Sequence, residues 1–132
     1  LDKLSNIFIE FAKNELQDVT SLQMEKYQSA PFRAPMIIIL TTHVTEHPKV
    51  PKIEQMLSTA TAAENILLAL HAKNYAGIWR TGKFAFHKKI AEYLNLTPDH
   101  EVIGYLYVGT PTGTNKKIPQ LDVENFVTHW NE

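Results

Sequence analysis

The 132-residue chain contains no cysteine, so disulfides, thiolate metal ligands and a thiol nucleophile are all excluded. That absence fits a cytosolic, cytoplasmic protein. Neither sign of charge dominates: 13 basic residues against 14 acidic ones give a formal charge of −1, which supplies no field to favour nucleic acid. Long apolar runs are also missing. The longest, Met36-Ile37-Ile38-Ile39-Leu40, is far short of a bilayer span, and the chain opens with no signal-peptide pattern, so no membrane partner is expected. Its 5 glycines, at 77, 82, 104, 109 and 113, fit neither the P-loop nor the dinucleotide fingerprint, which argues against a Rossmann site.

No side-chain constellation for acid–base, nucleophilic or metal chemistry is visible either. His43 and His47 fall in the proline-bearing stretch His43 to Pro51, expected to be an exposed loop, with no third ligand nearby. Ser58 has no visible base. Lys116-Lys117 is expected to be a solvated pair. Internal repeats and low-complexity blocks are absent.

What is present is an apolar fraction of 44%, enough to fill one core in a single domain. Leu1, Leu4, Ile7, Phe8 and Phe11 recur at helical spacing up to about Leu16, and a chain that opens on Leu1 inside a helix is expected to lack an N-terminal portion. Asp18 to Ser29 is expected to be a loop and a short helix, and the prolines of Ala30 to Pro35 to hold the backbone extended. Met36 to Thr42, β-branched and apolar, predicts a central strand covered on both faces. The longest helix is predicted from Lys52 to about Lys73. Its small-residue centre, Ser58 to Ala63, would let another helix, a subunit or a flat ring approach closely, and Asn74 and Gly77 suit its end. A short strand at Ile78-Trp79, an amphipathic helix over Phe84 to Leu94, and a buried strand over Glu101 to Gly109 follow. The tail from Thr112 ends in Phe126-Val127-Thr128-His129-Trp130, large apolar groups expected to dock on this chain or on a partner. The order of elements predicts an α+β, three-layer arrangement.

The segment Asn74 to Gly82 carries the most chemistry. Trp79, Arg80 and Thr81 offer a flat apolar surface, a cation and a hydroxyl, the set that a phosphorylated aromatic cofactor needs. Arg80 has two readings on pattern alone: a structural arginine paired with a carboxylate beside a core tryptophan, or a ligand contact. Arg33, between two prolines, is open in the same way.

Four blocks in order resemble the flavin-dependent nitroreductase family, and within it the small minimal bacterial nitroreductase subfamily. They are Ala30-Pro31-Phe32-Arg33-Ala34-Pro35 leading into the aliphatic strand, the helix from Glu54 to Leu70, the turn Ala76 to Gly82, and Glu101 to Pro111. The resemblance implies a central sheet flanked by helices and an intertwined homodimer with the long helix at its interface. It also implies flavin mononucleotide (FMN) bound between the subunits, contacted by Trp79, Arg80 and Thr81. NADH or NADPH would donate a hydride and, by ping-pong turnover, a nitroaromatic, quinone or similar flat acceptor would receive it. No catalytic side chain is implied, because the flavin carries the chemistry. The family's N-terminal Arg/Ser segment, which grips the flavin phosphate, has no match, so residues 1–132 look like a single domain short of roughly a quarter to a third of its usual length. The same scaffold with a lost grip would be a non-catalytic or degenerate flavin-binding dimer. Ala76 and Thr81 stand where Gly and Ser are frequent, both small changes.

Overall fold

Helix α1 (Asp2–Glu15) buries Leu4, Phe8 and Phe11 of the stripe that its spacing predicts, together with Ala12, while Ile7 is half-buried and Leu1, just before the helix, is exposed. In the computed structural model, which describes residues 1–113 and 117–130, Phe11 and Ala12 are fully enclosed. Asp18, at φ 54°, reverses the chain, and Thr20 starts helix α2 (Ser21–Ser29) with a reciprocal capping box to Gln23. The Ser5 hydroxyl donates to the Gln28 carbonyl at 2.7 Å and ties the two helices together.

The proline segment departs from expectation. Ala30–Arg33 forms a 3-10 turn rather than an extended stretch, because a proline in the first turn of a helix loses no hydrogen bond. Only Ala34, immediately before Pro35, takes the extended conformation that proline imposes on its predecessor.

Strand β1 (Met36–His43) follows, then α3 (Lys52–Ala72), β2 (Ala76–Arg80), the four-residue helices α4 (Lys83–Phe86) and α5 (Ile90–Tyr93), and β3 (His100–Gly109). The three strands lie in the order β1-β3-β2, with β3 antiparallel to both neighbours. The central strand is therefore β3 and not the Met36 run, which lies at an edge. β3 is hydrogen-bonded on both sides and buried from Val102 to Val108, whereas Met36 and Ile39 remain exposed and β1 buries only Leu40 and Thr42. His43, expected in a loop, is the last residue of β1.

Helices cover both faces of the sheet. α3 packs on one, around Leu40, Ala63, Ile103, Leu106 and Val108. On the other, α1 and the two short helices enclose Phe8, Phe11, Ile90, Val102 and Tyr105. Val102 and Tyr105 reach the same face despite odd spacing because Ile103 is an extra residue: Leu40 pairs with Gly104 and Thr41 with Val102, a β-bulge that resets the alternation. The single helix expected over Phe84 to Leu94 is broken at His87, whose extended backbone (φ −77°, ψ 133°) turns the chain between α4 and α5. That break lets Phe84 stack on Phe8, with ring centroids 4.3 Å apart.

Asn74, at φ 60°, ends α3 in the left-handed manner expected. Gly77 instead lies within β2, where a Cβ would come 2.5 Å from the Leu67 side chain of α3. α3 has apolar residues on more than one face and leaves Ile53, Leu57 and Leu68 more than half exposed. The tail also keeps its apolar groups outside the body: Phe126, in a 3-10 turn at Val123–Phe126, is 73% exposed and Trp130 is 90% exposed. Among the described residues these two groups find no enclosing contact on the body of the chain. Lys117 is exposed, and Lys116 lies outside the described residues. Among the described residues no helix is long and apolar enough to cross a membrane.

Candidate functional site

Alternation along β2 separates the residues that the sequence sets side by side. Gly77 and Trp79 turn toward α3, whereas Ala76, Ile78 and Arg80 line a groove on the opposite face. The pairing with β3 fixes this arrangement, since Trp79 lies across from Leu106, and Ile78 from Tyr107. The groove has a volume of about 440 Å³. Its floor is Ile78 and Tyr107, Arg33 and Pro35 come from the turn before β1, and Thr110 and Thr112 continue from the end of β3.

Trp79 is half-buried, and its indole N–H donates to the Ile103 carbonyl at 3.2 Å. The bulge makes this contact possible. A Cβ on Gly104 would lie 2.0 Å from the indole nitrogen, so the ring sits where only glycine leaves room. Arg80 is exposed in the groove, and among the described residues no carboxylate lies within ion-pair distance of it or of Arg33. Thr81 is exposed just beyond β2, next to Gly82 at φ 101°, and does not line the groove. Of the three residues singled out from the sequence, Arg80 alone faces this space.

Tyr107 is a site residue that sequence reasoning missed. Its hydroxyl is pushed up by burial, while the positive charges of Arg33 and Arg80 pull the other way. The available signal was its place on β3 across from Ile78, which becomes meaningful only once the strands are paired.

A second polar cluster closes the far end of the sheet. His43 and His100 are cross-strand partners with rings stacked at 4.9 Å, and His43 pairs with Asp99. Hydrogen bonding from Thr97, from the Asp99 backbone and from His43 holds the Asp99 carboxyl at about 2, against the opposing effect of desolvation. Among the described residues no group of three or more His, Cys, Asp or Glu side chains is placed to hold a metal ion.

The family model described as "Nitroreductase family" matches residues 1–110. Over 110 residues the chain is 34% identical to YdjA of Escherichia coli (strain K12), a candidate NAD(P)H nitroreductase by its name, covering 81% of this chain and 59% of that protein. The chain belongs to the nitroreductase family. It spans about three fifths of the length of that curated relative. Solved structures share the fold of this nitroreductase-family chain at low identity. A nitroreductase-like protein from Bacillus cereus superposes with TM-score 0.69 at 15% identity, over 96% of this chain and 65% of its own. A nitroreductase from Bacteroides fragilis, solved with bound FMN, gives TM-score 0.64 at 19% identity, over 96% of this chain and 70% of its own. The α+β, three-layer reading of this nitroreductase chain therefore holds.

Proposed function

We propose that the protein is an FMN-dependent oxidoreductase, one nitroreductase-like domain over residues 1–132 of this chain. It takes a hydride from NADH or NADPH and delivers it by ping-pong turnover to a nitroaromatic, a quinone or a similar flat acceptor. The observation that carries this reading is Arg80, which stands in an open groove with no carboxylate partner among the described residues. The structural alternative, an arginine paired with a carboxylate beside a core tryptophan, has no such pair among the described residues. An arginine kept for a ligand stays open to bind an anion.

The groove suits a molecule that joins an anionic group to a flat ring, because guanidinium and hydroxyl groups flank an apolar floor of Ile78. In this reading Arg80 supplies charge, Thr81 a hydroxyl at the strand end, and Trp79, held against the bulge, fixes the backbone from which both project. FMN, when bound, supplies the hydride-carrying ring, so the protein has to bind and orient rather than provide an acid or base.

Two features support a homodimer with the flavin at its interface. α3 leaves the large apolar side chains of Ile53, Leu57 and Leu68 exposed, and the tail projects Phe126 and Trp130 away from its own body. Both call for a second surface. A cytoplasmic setting, with reduced nicotinamide at hand, completes the reading. The test is the absorption spectrum of the purified full-length protein. A flavin spectrum that bleaches anaerobically with NADPH or NADH is expected, and a colourless protein that takes up no added FMN refutes the reading.

A further inference from the structure

The residues that follow β2 stand out in solvent. Thr81, Gly82 and Lys83 are all exposed, and a Cβ built on Gly82 would meet nothing within 4 Å. Gly82 also lies at φ 101°, in the region that favours glycine. A glycine in open space leaves the local backbone free to move, so the shape of this turn depends on what holds its two ends.

Both ends are held by β3, from opposite faces of the sheet. On the α3 face the Trp79 indole N–H donates to the Ile103 carbonyl at 3.2 Å. The backbone of β2 runs close here, since a Cβ on Gly104 would also lie 3.0 Å from the Arg80 carbonyl oxygen. On the α1 face the Tyr105 hydroxyl donates to the Phe84 carbonyl, just past the turn. Burial raises that hydroxyl well above the ordinary tyrosine range, so it stays protonated and keeps donating at neutral pH. Its ring stands edge-on to Phe8 at 5.5 Å, and the residue is only 2% exposed. Two residues of β3 on either side of Gly104 thus reach the two ends of one turn. Inside it, the Gly82 carbonyl accepts from the Ala85 and Phe86 N–H groups at 3.0 and 3.1 Å.

We infer that Tyr105 and Trp79 are positioning residues, gripping the turn from Arg80 to Phe84 from the two faces of the sheet and fixing its shape before a ligand arrives. Tyr105 is the new member, reaching a site that it does not line. Ordering a glycine-bearing turn in advance spares a ligand the entropy lost in ordering it on binding. That the turn serves FMN rests on the reading above, whereas the grip itself does not.

The experiment compares the full-length wild type with Tyr105→Phe, which keeps the ring and deletes the donor. Amide hydrogen exchange of Ala85 and Phe86 is followed without ligand, and FMN affinity is followed by flavin fluorescence. Loss of this one hydrogen bond should speed exchange at both amides about fivefold and weaken FMN binding about fivefold, because the correctly shaped turn is then populated for a smaller share of the time. Trp79→Phe removes the grip on the other face and carries the same expectation, so the comparison stands if either variant does not fold. The control is Thr20→Ala, which removes the capping box of α2 at a similar cost in stability. It should leave both readings within about twofold of the wild type. Exchange within about twofold of the wild type in Tyr105→Phe overturns the grip. Faster exchange with unaltered FMN affinity, or an equal loss of affinity in Thr20→Ala, overturns the positioning role. A wild type that binds no FMN refutes the FMN reading instead, and the exchange rates still judge the grip.

Discussion

Replacing Gly104 with alanine drives a methyl group into the Trp79 indole. The new Cβ would stand 2.0 Å from Nε1, 2.7 Å from Cδ1 and 3.0 Å from the Arg80 carbonyl oxygen, all well inside contact distance. Backbone cannot yield easily here, because β3 is paired on both sides, so the indole must leave. Its hydrogen bond to Ile103, 3.2 Å long, is then lost at about 1 kcal/mol. Holding alanine at φ 153° adds about 1 kcal/mol, and partial exposure of the ring adds a similar amount. The sum is about 3 kcal/mol, or a fall of about 1.5 M in the urea midpoint for a domain of this size. Trp79 and Trp130 are the 2 tryptophans, and Trp130 is 90% exposed, so a Trp130→Phe background lets fluorescence report Trp79 alone. Gly104→Ala should lower the midpoint and red-shift the native emission. Trp79→Leu in the same chain, with its midpoint followed by far-UV circular dichroism, should relieve the clash and make the double variant less destabilised than the two single losses added together. A midpoint within about 0.3 M of the parent, with unchanged emission, would refute the wedge argument.

Phe11, fully enclosed between α1 and the short helices, should cost about 4 kcal/mol when cut to alanine, read by the same urea titration. Burial raises the Tyr105 hydroxyl well above its ordinary 10.0, so the unfolded chain loses that proton first. Stability should be complete below about pH 10 and fall as pH rises beyond it, and Tyr105→Phe should show a shallower alkaline decline in the unfolding midpoint. Asp99 has the opposite sign: its carboxyl moves from 3.8 unfolded to about 2 folded, so its contribution is present above pH 3.8 and is lost as pH falls toward 2. Asp99→Asn should flatten the acid limb of the stability profile in that window. Leu57→Glu, on the exposed face of α3, should leave secondary structure intact while shifting the full-length protein from dimer toward monomer in sedimentation. An unchanged mass would remove that face from the interface.

Periodicity and length were sufficient for the long helix, whose predicted span of Lys52 to about Lys73 ends one residue from the observed Ala72. The four motif blocks were likewise legible as a family pattern, because family likeness is carried by linear order. Burial of a strand was legible; its position in the sheet was not. Met36 to Leu40 and Val102 to Val108 are both continuous apolar runs, and which of them is central depends on how many neighbours each finds.

The site divides along the same line. Trp79, Arg80 and Thr81 are adjacent in the chain, so sequence presents them as one unit. The pleat sends Trp79 to α3 and Arg80 to the groove. Arg33 and Tyr107 could not be joined to Arg80 beforehand, because their meeting requires β1, β3 and β2 to pair in that order. Sequence by itself determined the class of fold, the long helix, the family and the presence of an unassigned arginine in a Gly-bounded turn. Tertiary structure decided which strand is central, which side of the sheet each side chain serves, and which charges share a groove. The physical reason is that residue spacing governs local conformation, whereas strand pairing and the bulge at Gly104 are set by contacts between segments distant in the chain.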